Sequence, residues 1–128
     1  MPFDCPDLVP AHDLATLTDA RDRIADPQSW IKHAFKHGNR HCLVAALSLA
    51  CGSRDFYVPN KTERRLAQML AEQLPSKKPI WAKIGLVPAR SRLMAFNDHH
   101  RTSHQDVVAL FDRTIGCLIC KPPDHVLV

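Results

Sequence analysis

The run His41-Cys42-Leu43-Val44-Ala45-Ala46-Leu47-Ser48-Leu49-Ala50-Cys51-Gly52 constrains this chain most. It is apolar almost all round a helical wheel, and a helix of that kind is buried on every side. The expectation is a central helix over about residues 40–51, with the other segments packed around it. Cys42 stands at its start beside His41. The unpaired amides of a helix N-terminus favour thiolate there. The same segment therefore supports two readings, a buried spine and a reactive thiol.

A chain of 128 residues is long enough for one core without disulfide staples. No apolar run reaches the roughly 18 residues that a membrane span needs. The start, Met-Pro-Phe-Asp-Cys-Pro-Asp, lacks the basic segment of a secretory signal, so a cytoplasmic location is expected. Five cysteines in no secreted framework point to reduced thiols. The net charge of +4 is uneven: residues 1–26 carry two Arg against six Asp, and every Lys lies beyond them. Basic residues along the rest of the chain are scattered and aromatic residues are few (6%), so nucleic acid ranks last among partners.

Apolar spacing lays out the helices. Residues 1–12, with three prolines, read as irregular. Asp13 caps a first helix with Leu14, Leu17, Ala20 and Ile24 on one face. Asp26-Pro27 opens a second, carrying Trp30, Ile31, Ala34 and Phe35 and stopping at Gly38. Its other face holds Lys32, His33, Lys36 and His37. After the central helix, residues 53–59 form a loop with Phe56 and Tyr57 turned inward. Asn60 with Glu63 makes a capping box for a helix with Leu66, Met69, Leu70 and Leu74 on its stripe. A linker at 76–79 leads to a short helix with Ile80, Trp81, Ile84 and Leu86. Leu93, Met94 and Phe96 form another short apolar segment. Thr102 with Gln105, or Ser103 with Asp106, caps the last helix, whose core face is Val107, Leu110, Phe111 and Ile115. Gly116 closes it. The expected architecture is all-α, a compact bundle of five to six short helices in a single domain over 1–116, with 117–128 as an extended tail.

A set of landmarks runs through this order: Trp30, Cys42-Leu-Val-Ala-Ala46-Leu47, Phe96-Asn97-Asp98, Arg101-Thr102 and Val107-Val-Ala-Leu110-Phe111-Asp112. It resembles a small, mostly bacterial family of uncharacterised proteins classed as a domain of unknown function. Ala45 departs from that family's pattern, where a glycine precedes the Ala-Leu pair. The resemblance implies a helical domain over about 20–115 with Cys42 and Asn97-Asp98 as its signature, and no activity.

Three kinds of site present themselves. Cys42 as nucleophile, with His99 or His100 as base and Asn97 or Asp98 as orienter, would make a thiol-dependent hydrolase or acyltransferase. Against it, a cysteine opening an apolar helix is usually a small buried hydrophobe, and Asn and Asp before a helix are ordinary turn and cap residues. His33 with His37, and His100 with His104, share the i, i+4 spacing that chelates zinc, though a tight site needs three or four ligands. Cys117 and Cys120 form a lone Cys-x-x-Cys outside any βαβ context. With no constellation that demands chemistry, the first-ranked function is a non-enzymatic protein-interaction or regulatory module. Its partner would be another protein or a second copy of the chain, with Trp81 and the tail at the association surface.

Overall fold

The computed structural model describes residues 4–53, 55–75 and 88–120, with side chains over 11–53, 55–75 and 88–119. The expected linker at 76–79, the helix around Trp81 and residues 121–128 of the tail lie outside the described residues. Among the described residues there are five α-helices and one two-stranded hairpin. None of these helices is long and apolar enough to cross a membrane.

The spine is α2, Leu43–Ala50. Leu43, Val44, Ala45, Ala46 and Leu47 are all fully buried, as the apolar wheel requires. Each large side chain removed from water in this way stabilises the fold by about 1.5–3 kcal/mol. Gly52 takes φ +82°, and Ser53 N donates to Ser48 O, which together stop the helix.

Four further helices share one core with α2. They are α1 (Asp4–Arg23), α3 (Lys61–Glu72), α4 (Ala89–Asp98) and α5 (His104–Cys120). α1 lies along α2 and α5, and α3 lies against α4. Leu17, Ala20 and Ile24 bring the α1 stripe to the core; Leu66 and Leu70 bring that of α3, and Leu110 and Phe111 that of α5. The α5 capping box is the Ser103–Asp106 pair: Asp106 N donates to Ser103 Oγ at 3.1 Å, and Ser103 N to Asp106 Oδ2 at 2.9 Å. Asn60 caps α3 by accepting from Glu63 N at 2.8 Å. Glu63 does not complete that box. Its side chain is fully buried, held by Arg90 at 2.9 Å and Ser53 at 3.3 Å.

Four expectations need correction. α1 starts at Asp4, not at Asp13, and runs through Pro6 and Pro10. Asp13 is a buried ion-pair partner of Arg65 instead of a cap. Residues 27–37 are not a helix: a 3-10 turn over Pro27–Ser29 leads into β1 (Lys36–His37) and β2 (Arg40–His41). Gly38, at φ +62°, supplies the first turn residue between them, where a left-handed backbone suits a tight hairpin. α5 does not stop at Gly116 but continues to Cys120, so residues 117–120 are helical. Tyr57, expected inside, is 77% exposed, while Phe56 is half-buried.

Candidate functional site

The N-terminus of α2 is where Trp30, Cys42, Asn97 and Asp98 meet. A helix start leaves backbone amides without partners. Two side chains satisfy them here. Cys42 is the N-cap, and its sulfur accepts from Ala45 N at 3.3 Å. Asn97, near the end of α4, reaches across so that its Oδ1 accepts from Leu43 N at 3.2 Å. The same oxygen accepts from Trp30 Nε1 at 2.6 Å. Asn97 Nδ2 donates to Ile31 O at 3.1 Å and to Asp98 Oδ1 at 3.0 Å. These partners fix the amide's orientation and leave it fully satisfied while buried. Asp98 Oδ1 also accepts from His33 N at 2.8 Å. His33 has φ +65°, a left-handed backbone for a non-glycine residue that costs about 1 kcal/mol or more. The Asp98 bond holds that strained residue in place.

Beside this junction lies an open cavity of about 510 Å³. Its walls come from the 33–36 segment, the 56–57 loop and α4. Phe35, Phe56, Tyr57 and Met94 supply apolar lining; Cys42, Asn97 and Asp98 are also at the wall, and so are His33 and Lys36. The aromatic rings contact one another: Phe35 meets Tyr57 edge-on at 5.1 Å and Phe56 at 5.6 Å. The Arg90 guanidinium, ion-paired to buried Glu63, sits 5.5 Å from the Phe35 ring centre.

The fold thus brings Cys42, Asn97 and Asp98 to one cavity. It does not place His99 and His100 on that wall. His99 Nδ1 accepts from Arg101 N at 3.1 Å, its carbonyl accepts from Lys32 Nζ at 2.6 Å, and its ring stacks on His100 at 4.6 Å. Cys42 is 4% exposed. Burial pushes its thiol pKa up, and the Asp98 charge adds to that, against a smaller opposite pull from the amides of Ala45 and Val44. The expected activation by the helix start is therefore overridden by desolvation. Cys51, half-buried with Glu63 nearby, is pushed up to about 12. At pH 8 iodoacetamide is expected to modify exposed Cys117 while Cys42 and Cys51 stay intact in the folded protein, read by peptide mass spectrometry. A Cys42 that alkylates as fast as Cys117 would restore the nucleophile.

The histidine pairs lose the helix that gave them a common face. His33 sits in the strained segment and His37 in β1, both exposed. His100 lies in the turn before α5 and His104 is the first residue of α5, so they are not successive turns of one helix. His104 Nε2 donates to Ile24 O at 2.7 Å, and its ring lies 5.8 Å from Trp30. Among the described residues no three His, Cys, Asp or Glu side chains are grouped as metal ligands.

The aromatic wall does not show in the apolar spacing of the sequence. Phe35 was expected in a helix core, and Met94 in a plain apolar segment. The available signal was Gly38-Asn39, a hairpin dipeptide flanked by residues that pair across it, Lys36 with His41 and His37 with Arg40.

A family model described as a family of unknown function (DUF6197) matches residues 9–116, and the chain belongs to that family. No curated protein and no solved structure matches it.

Proposed function

We propose that this family member is a non-catalytic binding module whose receptor is the aromatic-walled cavity, and that what it receives is part of a protein partner. One observation carries the reading. An open cavity of about 510 Å³ carries on its wall an aromatic side chain left in water, Tyr57, 77% exposed. An exposed tyrosine beside an apolar concavity is typical of a contact surface. The groups that would do chemistry there are committed elsewhere. Asn97 is saturated by its backbone and indole partners, Asp98 holds His33 N, and the Cys42 thiol is buried with a raised pKa. A thiol hydrolase or acyltransferase needs an accessible thiolate and a base, which these positions do not favour.

The test is a titration of the folded protein with toluene and with p-cresol, followed by NMR of methyl and ring signals. Shifts confined to Ala34, Phe35, Phe56, Tyr57 and Met94 are expected. Shifts spread evenly over the surface, or none at Met94 and Tyr57, would overturn the receptor.

A further inference from the structure

Among the described residues the carboxylates of Asp13, Glu63 and Asp98 are the ones drawn out of full exposure. A carboxylate removed from water is costly unless a cation comes with it. Asp13 has Arg65, and Glu63 has Arg90. Asp98 forms no ion pair among the described residues. Its Oδ1 accepts from two uncharged donors, His33 N and Asn97 Nδ2. Its Oδ2 has no hydrogen-bond partner among them and is not sealed from solvent. Asp98 stands on the cavity wall. The cavity therefore holds a half-buried negative charge with no cation at contact distance.

The rings around it suit a cation. Phe35 and Tyr57 are inclined at 89°, and Phe35 and Phe56 at 47°, so Phe35 lies flat on neither. The face of an aromatic ring is its negative pole and attracts a cation held over it. Phe35 already meets one such group, the Arg90 guanidinium at 5.5 Å, and Glu63 balances that charge. Asp55 precedes Phe56 and Tyr57 on their loop. Its Oδ1 accepts from Tyr57 N, and it too forms no ion pair among the described residues. Lys36 is the opposing charge on the wall. It is exposed, and a long flexible stem keeps its ammonium in water.

Resting on the receptor reading above, we propose that the occupant is a lysine side chain of the protein partner, its ammonium donating to Asp98 Oδ2 and its methylene stem lying against Phe56, Tyr57 and Met94. The unbalanced carboxylate asks for a cation, and the apolar wall asks for a stem. An arginine fork needs two acceptor oxygens side by side, and Asp98 Oδ1 already accepts twice. An ammonium needs one acceptor, and ring faces and water complete its surroundings.

The probes are labelled peptides with the same neutral Gly-Ser flanks and a central Lys, Arg, norleucine or Glu. Norleucine keeps the stem of lysine and drops its charge. By fluorescence anisotropy at 50 mM salt the Lys peptide is expected to bind about tenfold more tightly than the norleucine peptide, with Glu the weakest. Asp98→Asn retains an oxygen that can accept from His33 N and Asn97 Nδ2 but removes the charge. It is expected to erase the tenfold margin while leaving the norleucine peptide within about twofold of its parent affinity. Tyr57→Ala should weaken the Lys and norleucine peptides alike by about tenfold. K36Q, which takes the like charge off the wall, should tighten the Lys peptide about twofold. Tyr57 and Lys36 are exposed, so neither variant should unfold the protein. The comparison of Lys with norleucine on the parent protein decides even if Asp98→Asn fails to fold. A Lys peptide no tighter than norleucine, a tighter Arg peptide, or a margin that survives in a folded Asp98→Asn protein would overturn the proposal. Displacement of the Lys peptide by butylammonium at equal concentration would overturn it in favour of a free amine. A concentration-dependent dimer that excludes the peptide would overturn it in favour of a second copy of the chain. If toluene and p-cresol enter the cavity and lysine gains nothing over norleucine, the receptor stands and this occupant falls; if none enters, both fall.

Discussion

Asn97→Ala is expected to cost about 3–5 kcal/mol, which for a domain of this size lowers the melting temperature by roughly 10–30 °C. The substitution leaves Leu43 N, Trp30 Nε1 and Ile31 O without their Asn97 partner in the interior. Each buried group stripped of a partner costs about 1–3 kcal/mol. The loss also leaves Cys42 as the remaining side-chain cap of the spine helix and removes the Asn97 Nδ2 bond to the Asp98 carboxylate that holds His33 N. Trp30→Phe removes a single one of these bonds and is expected to cost about 1–2 kcal/mol. Because the two residues share a bond, the double variant should fall short of the sum. Urea unfolding of the three proteins decides the matter: an Asn97→Ala protein within 1 kcal/mol of the parent would mean the junction does not hold the fold.

Arg90→Leu comes second, at about 3–5 kcal/mol. Glu63 has 0% exposure, and Arg90 at 2.9 Å is the cation that balances it. Taking the cation away leaves a buried carboxylate with the Ser53 hydroxyl for company. The pair as a whole is worth far less than that penalty, since both charges gave up water to form it. E63Q/R90L should therefore recover much of the loss. Because Arg90 also lies against Phe35, Arg90→Leu is expected to shift the Phe35 and Tyr57 ring resonances as well. A single variant as stable as the parent, or a double variant worse than the single, would contradict the balance described here.

The parts of the fold legible from sequence are those governed by local periodicity. Residues 43–50 are apolar on all sides and became the spine; Leu66 and Leu70 follow a clean 3.6-residue stripe; Ser103 and Asp106 close a capping box within three residues. Residues 27–37 mislead because Trp30, Ile31, Ala34 and Phe35 also fit a helical face. The competing signal was two residues long, Gly38-Asn39, and the decisive partners were distant. Ile31 N donates to His41 O, Cys42 N to Phe35 O, and Asn97 reaches in from α4. The candidate site was half legible for the same reason. Cys42, Asn97 and Asp98 were singled out together and do meet, but as hydrogen-bonding and capping groups. Spacing says nothing about whether a thiol ends in water or in the core, and that difference reverses the direction of its pKa.

The Trp30–Asn97 bond closes a separation of 67 residues, and the Leu43–Asn97 bond one of 54. Helical turns and caps assemble from near neighbours, whereas closures of this length carry a chain-entropy cost that is repaid only when both ends are in place. A newly made or heat-stressed chain can thus be rich in helix and still lack the cavity. Proteolytic nicking between the hairpin and α4 would strike the same weakness, by turning one tethered encounter into a meeting of two fragments. On the proposed reading, a partner seated beside Tyr57 would recognise a finished molecule, and its binding would draw unfinished ones toward completion by mass action.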